Sequence, residues 1–253
     1  MPCWHLALYD DFAWFYNRYW NEEFHGAAFP VLERIFLPRV ARKGRILDVC
    51  CGTGYLAGLL TARGYRVIGI DASAEMIALA RENVPAAAFH VADASQFKVL
   101  GKCDGAVSTF DSLNHILTDD ALQAAFDHTA AVLKGGAPFA FDMLLESAYH
   151  TNWADAFSVV REDHVLVLSG SDFDPRTRLA GCRITMFRLL DGVWRRSDAE
   201  VQERCYTTAE IDSALSRAGF EGTTCYDARD LGMGGQLGQG RTFVVTTRKK
   251  NAP

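Results

Sequence analysis

A glycine-rich segment, LDVCCGTGYLAG over residues 47–58, offers two kinds of chemistry. Its adjacent cysteines, Cys50 and Cys51, could act as a nucleophile, a metal-binding pair or a redox switch. Its glycines, Gly52 and Gly54, could instead let a ligand approach the backbone, where the first N–H groups of a following helix bind an anion. The rest of the sequence has to decide between a thiol site and a ligand-binding turn.

Carboxylates around this turn narrow the choice of ligand. Gly52, Gly54 and Ala57 also fit the dinucleotide pattern G-x-G-x-x-A, so a nicotinamide-dependent oxidoreductase is a competing interpretation. Asp48 lies just before the turn, where its carboxylate can bind an ammonium group. Asp71 follows Gly54 by 17 residues and ends the second predicted strand, where a carboxylate can accept hydrogen bonds from both ribose hydroxyls. The pattern therefore indicates a ligand with an amino-acid end and a ribose.

The third predicted strand ends in VADAS and indicates the remaining part of that ligand. Asp93 and the backbone of Ala94 would meet the amino group of an adenine. Ala72 and Met76 could enclose the adenine ring, because methionine adapts well to aromatic surfaces. A ligand with these three parts is S-adenosylmethionine, and in this interpretation Cys50 is a small packing residue of the turn.

The elements that position these residues follow an alternating pattern. From Arg45 onward, short buried strands alternate with amphipathic helices, which predicts a parallel sheet with crossover helices. Residues 156–206 break this rhythm and predict three antiparallel strands, with turns at 174–175 and 191–192. A last helix and two more strands complete the pattern.

Composition excludes several classes of protein. The chain has 253 residues, 49% of them hydrophobic, which suits one α/β domain with an elaboration. The net charge of −5 gives no basic footprint, so we expect no nucleic-acid or membrane partner. The start of the chain does not read as a signal peptide, and the seven cysteines are scattered apart from one pair, so we expect a cytoplasmic protein. No CxxC or HExxH motif is present, and no metal is expected.

As a set, the motifs resemble those of class I S-adenosylmethionine-dependent methyltransferases. The resemblance rests on ILDVCCGTG, GIDASAEMIALAREN, HVADASQF, STFDSLNHI and VLKGGAPFAFD. It implies a Rossmann-like, seven-stranded, mostly parallel sheet in the order 3-2-1-4-5-7-6, with an antiparallel last strand. The expected single domain, residues 1–253, divides into an N-terminal helical lid (1–43), a cofactor-binding core (44–150), a three-stranded antiparallel insert (156–206) and the last helix and strands (207–253).

The leader LYDDFAWFYNRYW is similar to the Y-x-x-x-A-x-x-Y opening of small-molecule methyltransferases. These include amino-sugar N,N-dimethyltransferases and glycine N-methyltransferase-like enzymes. The likeness implies that Tyr9 and Tyr16 lie over the methionine half of the cofactor and beside the substrate.

Methyl transfer from a sulfonium is an in-line displacement, so the protein mainly aligns the reactants in a dry pocket. A base is needed only when the nucleophile arrives protonated. His115 follows the fourth strand and is the best candidate for that base, although a packing role is the plain alternative. For Arg241, structural and substrate roles stay equally open. The expected catalytic residues are His115 and Tyr16, and the expected cofactor-binding residues are Tyr9, Asp48, Cys50, Gly52, Gly54, Asp71, Ala72, Met76, Asp93, Ala94, Thr109 and Phe110.

We therefore expect transfer of a methyl group to a small molecule, with an amine nitrogen favoured and an O-methyltransferase as the alternative. The product of the cofactor would be S-adenosylhomocysteine. A nicotinamide-dependent oxidoreductase would need a second mononucleotide-binding half and a Tyr-x-x-x-Lys pair, and the sequence shows neither. A non-catalytic S-adenosylmethionine-binding protein is the other alternative. The expected assembly is a monomer or a homodimer.

Overall fold

The fold is given by a computed structural model that describes residues 6–150, 157–170 and 173–250, with side chains from residue 10 onward. Strands and helices are numbered separately along the chain. The strands are β1 (Arg45–Val49), β2 (Arg66–Asp71), β3 (Ala88–Val91), β4 (Gly105–Ser108), β5 (Pro138–Leu144), β6 (Phe157–Val160), β7 (His164–Gly170), β8 (Leu179–Leu190), β9 (Val193–Arg204), β10 (Phe220–Asp227) and β11 (Arg241–Arg248). The helices are α1 (Leu6–Tyr19), α2 (Asn21–Ile35), α3 (Tyr55–Ala62), α4 (Ala74–Asn83), α5 (Asp119–Val132), α6 (Glu146–Tyr149), α7 (Thr208–Arg217) and α8 (Gly235–Gly238).

Seven strands form the central sheet in the order β3-β2-β1-β4-β5-β11-β10. β11 runs antiparallel to both of its neighbours, β5 and β10. The pairings among β1 to β5 are all parallel. Counting only the strands of this sheet, the order is 3-2-1-4-5-7-6. The predicted Rossmann-like α/β fold is confirmed, and with it the carboxyl edge at which such sheets bind ligands.

Two of the helices begin at side chains that cap them. The Ser73 side chain accepts a hydrogen bond from the Met76 N–H and caps α4. Thr207 and Glu210 form a reciprocal capping box at the start of α7. In the part of the chain that the structure describes, no helix is long and apolar enough to cross a bilayer.

The antiparallel insert has four strands, in the order β6-β7-β8-β9, and not the predicted three. The segment read as one strand from residue 157 onward turns at Arg161–Asp163, where the Arg161 N–H donates to the His164 carbonyl. Three consecutive charged residues form this turn because they can stay in water there, which a sheet interior would not allow. The turn predicted at 191–192 is present, with φ of 52° at Asp191 and 77° at Gly192, as a two-residue hairpin requires.

Helix α1 lies between the core and the insert. Phe12 and Phe15 pack into an apolar cluster with the inward-facing residues Leu166, Ile184 and Val201 of the insert. On its other side, Asp10 accepts a hydrogen bond of 2.5 Å from the Ser73 hydroxyl at the start of α4. The helix and the insert together cover the carboxyl edge of the sheet. The division of the chain into four functional segments stays a prediction.

Candidate active site

A cavity of about 490 Å³ opens at the carboxyl ends of β1, β2 and β4, beneath α1 and the insert. One half is lined from the core by Cys50, Gly52, Asp71, Ala72, Ser73, Met76, Asp93 and Ala94. The other half is lined by Phe110, Asp111, Ser112, His115, Ile116, Leu168, Cys182, Ile184, Val201 and Glu203, with Phe12, Tyr16 and Trp20 of α1 and its end. The structure thus brings ten of the fourteen predicted site residues to one cavity.

Left-handed backbone shapes the glycine turn. Cys50, Gly52 and Gly54 have φ of 60°, 51° and 79°, a region that side chains disfavour. The Gly52 N–H donates to Asp71 Oδ2 at 2.9 Å. A Cβ on Gly52 would lie 3.3 Å from the Tyr16 ring, a tight contact, so glycine suits the close approach of the turn and α1.

The two cysteines of the turn have the electrostatics of packing residues. Burial raises the pKa of both thiols well above their usual range, and Asp48 and Asp71 raise it further. A thiol in such surroundings stays protonated, whereas a nucleophile or a metal ligand has to be a thiolate. The raised pKa values therefore argue against a thiol site and favour the interpretation of the glycine turn as a ligand-binding feature.

Replacing Cys50 with glycine tests this conclusion. Glycine relieves the cost of a side chain at positive φ but adds unfolded-state entropy, so the two effects, each about 1 kcal/mol, should nearly cancel. We expect Cys50→Gly to change the free energy of unfolding in urea by less than about 1 kcal/mol and the affinity for S-adenosylhomocysteine by less than about threefold. A much larger loss of affinity would give the thiol a role in binding.

Two acids flank the turn from below. Asp48 is 1% exposed, and its Oδ2 has no hydrogen-bond partner among the described residues. Burial, with the nearby Asp71 as a second cause, raises the pKa of Asp48 to about 8. Asp71 is half-buried and accepts backbone N–H groups from Gly52 at 2.9 Å and Ser73 at 3.0 Å. An unpartnered buried carboxyl beside a second acid is a site suited to a cation.

Asp93 sits where the sequence places it, at the end of β3. Its Oδ1 accepts hydrogen bonds of 2.7 Å from the N–H and the hydroxyl of Ser95. Ala94 and Met76 are buried beside it, and Ala72 is half-buried. A carboxylate at the rim of an apolar slot can accept hydrogen bonds from the edge of an aromatic base, while apolar side chains pack against the faces of its ring.

These features fit S-adenosylmethionine on three counts. The backbone of the turn borders the cavity at Gly52, an orphaned carboxyl oxygen lies below the turn, and an apolar slot ends in a carboxylate. The residues suited to hold the cofactor are thus those of the core half of the cavity.

The opposite half is built on a strained loop after β4. Phe110 and Asp111 have φ of 66° and 49°, both uncommon for residues with side chains. Asp142 holds the loop in place by accepting the N–H groups of Phe110 at 2.7 Å and Asp111 at 3.0 Å. Arg241 forms ion pairs with both Asp111 and Asp142, and it is buried. Arg241 therefore acts as a structural residue of this loop and is not among the residues that line the cavity.

His115 lies in the turn Ser112–His115 that follows the strained loop. Its Nδ1 is 3.1 Å from the Gln202 carbonyl oxygen, which can only accept, so Nδ1 carries the proton. Burial lowers the pKa of His115, which keeps the ring neutral and leaves Nε2 as a proton acceptor. Nε2 lies 3.4 Å from the Glu203 carboxyl.

Glu203 is a site residue that the sequence analysis missed. It is 1% exposed, and its Oε2 accepts the hydroxyl proton of Tyr149 at 2.9 Å. The signal was available in β9, where Ala199, Val201 and Glu203 share the inward face of an alternating strand. A charged residue on an otherwise apolar strand face indicates a functional or structural role. Here Glu203 forms part of the cavity wall.

Among the described side chains, three predicted site residues do not line the cavity, and a fourth prediction falls outside the described side chains. Asp48 lies beneath the turn, and Gly54 packs against Ala80 and Phe89 at the start of α3. Thr109 points away, with its hydroxyl 3.4 Å from His25 Nε2. Tyr9 belongs to α1, but its side chain is outside the described part of the chain.

Comparison with known proteins supports the same class. Residues 46–136 match the family described as a methyltransferase domain. A putative methyltransferase of Geobacillus sp. is 29% identical over 84% of this chain and 88% of its own length. A dTDP-3-amino-3,4,6-trideoxy-alpha-D-glucopyranose N,N-dimethyltransferase of Streptomyces venezuelae is 30% identical over 49% of this chain and 53% of its own.

The fold has close structural relatives. The structure of an amino pentose methyltransferase from Micromonospora echinaspora with bound S-adenosylmethionine superposes with a TM-score of 0.68 at 23% identity, covering 91% of this chain and 92% of that one. These likenesses support a class I S-adenosylmethionine-dependent methyltransferase, as the motifs predicted, with S-adenosylmethionine as the methyl donor.

Proposed function

We propose that this enzyme methylates the nitrogen of a small-molecule amine. One observation carries the proposal: opposite the cofactor half, the cavity presents a neutral histidine among carboxyl groups, and no described Lys or Arg lines it. Such a wall favours a group that arrives as a cation and can give up a proton. The N,N-dimethyltransferase of Streptomyces venezuelae, which shares 30% identity over 49% of this chain, is named for an amine substrate and supports the same assignment.

The residues of the core half would hold the cofactor. Asp71 would accept the ribose hydroxyls and Asp93 would meet the adenine, while Asp48 would face the ammonium group of the methionine part. When bound, S-adenosylmethionine supplies a methyl group on a sulfonium, which needs no further activation.

His115 and the walls of the cavity would prepare the nucleophile. A protonated amine gives its proton to His115 Nε2, which exposes the lone pair of the nitrogen. With S-adenosylmethionine bound, that lone pair would form the new N–C bond as the C–S bond breaks, and the electron pair of the broken bond would stay on sulfur. Phe12, Tyr16 and Trp20 exclude water and align the reactants, which is the main contribution of the protein to such a displacement.

Release of S-adenosylhomocysteine tests this function. The purified enzyme with S-adenosylmethionine would be given matched pairs of amines and alcohols with the same carbon skeleton. We expect product release with amines above the level without substrate, and none with the alcohols. Turnover of the alcohols or phenols alone would replace this proposal by O-methylation, and no turnover despite cofactor binding would favour a non-catalytic binding protein.

A further inference from the structure

The insert contributes a buried acid, Glu203, that touches the cavity on the side away from the cofactor turn. Its partners in the described structure include the Tyr149 hydroxyl at 2.9 Å, His115 Nε2 at 3.4 Å and the Asp111 carboxyl, with which it shares a hydrogen bond. The oxygens of Asp111 and Glu203 and a ring nitrogen of His115 lie within 4.8 Å of one another. Three proton-binding groups therefore surround one small region of the cavity wall.

In the described structure, no lysine or arginine side chain forms an ion pair with Glu203. Arg241 is the nearby guanidinium, and it is already ion-paired with Asp111 and Asp142. Arg204, the residue after Glu203, directs its side chain to Asp119 at 2.9 Å instead. Among the described residues, Glu203 has no ion-pair partner other than His115, whose ring is neutral.

Two other elements of the fold, α6 and the turn Ser112–His115, hold the side chain of Glu203 in place. α6 places the Tyr149 hydroxyl on one carboxyl oxygen, and the turn Ser112–His115 places the imidazole near the other. Burial and the neighbouring Asp111 raise the pKa of Glu203 well above its usual range. A buried carboxyl of this kind ionises readily only when a cation comes to lie beside it.

We propose that Glu203, with Asp111 beside it, is the binding site for the ammonium group of the substrate and selects amines over alcohols. This inference rests on the proposed N-methylation and names the residue that gives it its selectivity. As the ammonium group binds, Glu203 releases its proton to solvent and accepts a hydrogen bond from the ammonium group as a carboxylate. The ammonium group then passes one of its own protons to His115 Nε2, and the same carboxylate stabilises the resulting imidazolium. The aromatic side chains of Tyr16 and Trp20 border the cation from α1.

Binding of a simple amine tests the site without the natural substrate. Protein saturated with S-adenosylhomocysteine would be titrated with cyclohexylamine, which is protonated at neutral pH, and with its isostere cyclohexanol, by ligand-observed NMR. The variant is Glu203→Gln, and the matched control is Glu200→Gln on the exposed face of the same strand. We expect Glu203→Gln to weaken the amine by about tenfold or more, because a charge-assisted hydrogen bond is lost, and to leave cyclohexanol within about twofold. Glu200→Gln should change neither.

A second variant guards against a misfolded Glu203→Gln. Tyr149→Phe keeps the carboxyl and removes its hydrogen-bond donor, so it should weaken the amine in the same direction by a smaller factor. Retained binding of S-adenosylhomocysteine by either variant shows that the core half of the cavity is intact.

Several results would overturn the inference. These are equal affinity of the wild-type protein for amine and alcohol, no measurable amine binding, and amine binding that survives Glu203→Gln. Tight binding of Zn²⁺ that needs Glu203 and displaces the amine would make the cluster a metal site instead. Turnover assays separate the two proposals. If Glu203→Gln leaves the methylation of amines unchanged, N-methylation stands and the Glu203 site is wrong. If amine binding depends on Glu203 but no amine is methylated, the site stands and N-methylation is wrong.

Discussion

Asp71→Ala should abolish measurable binding of S-adenosylmethionine and S-adenosylhomocysteine. The Asp71 carboxylate would accept two ribose hydroxyls, and hydrogen bonds to a charged group contribute about 1.5–3 kcal/mol each. The same side chain also holds the glycine turn through its hydrogen bond from Gly52 at 2.9 Å. Losing both contributions should lower the affinity at least about a hundredfold in calorimetric titration.

The controls for this experiment separate the ribose contact from the turn. Asp71→Asn keeps one acceptor oxygen and should be intermediate. Asp93→Ala removes an acid with fewer ligand contacts and should cost about tenfold. Wild-type protein should bind neither NAD nor NADH. Binding of S-adenosylhomocysteine by Asp71→Ala within about threefold of wild type would remove Asp71 from the site.

Asp48→Asn should stabilise the ligand-free protein and weaken cofactor binding at the same time. The folded-state pKa of Asp48 is about 8, above the usual value of 3.8. Between those two values the folded chain keeps a proton that the unfolded chain releases, so stability is lost as the pH rises from about 4 to about 8. Asparagine does not titrate, so the variant should gain up to about 5 kcal/mol over wild type at pH 8 relative to pH 4.

Urea denaturation at pH 4.5, 6 and 8 measures this gain, with the exposed Asp120→Asn as the matched control. Affinity for S-adenosylhomocysteine should fall by roughly 10- to 100-fold in Asp48→Asn at pH 8, because the unpartnered oxygen would no longer carry a charge for the ammonium group. A variant that is no more stable than wild type at pH 8, or one that binds S-adenosylhomocysteine as well, would contradict the role of Asp48.

The sequence predicted the sheet, and it predicted most of the core residues that line one half of the cavity, for a local reason. Each motif there joins a strand to the turn or helix that follows it, so Gly52, Asp71 and Asp93 reach the same edge once the strands are parallel. The substrate half depends on long-range contacts. Asp142, on β5, holds the loop that contains Asp111. Glu203 lies on the insert, and the sequence does not indicate where the insert packs against the sheet.

The features that the sequence does not indicate have the same origin. The predicted single strand over 157–173 is two strands because Arg161–Asp163 turn, and nothing local distinguishes a charged turn from a charged strand face. Thr109 belongs to a matching motif, yet its hydroxyl lies near His25 of α2, a contact that spans 84 residues of chain. Arg241 was left open between two roles, and the buried ion pairs with Asp111 and Asp142 decide for the structural one.

Transfer of a labelled methyl group to a molecule that carries both nucleophiles tests the central claim most directly. The enzyme would be given S-adenosylmethionine with a ¹³C-labelled methyl group and a panel of cyclic amino alcohols, and the labelled carbon located by NMR. Label on nitrogen alone, lost in Asp71→Ala, is the result expected for an amine N-methyltransferase with this cofactor site. Label on oxygen would contradict the assignment of the substrate half of the cavity.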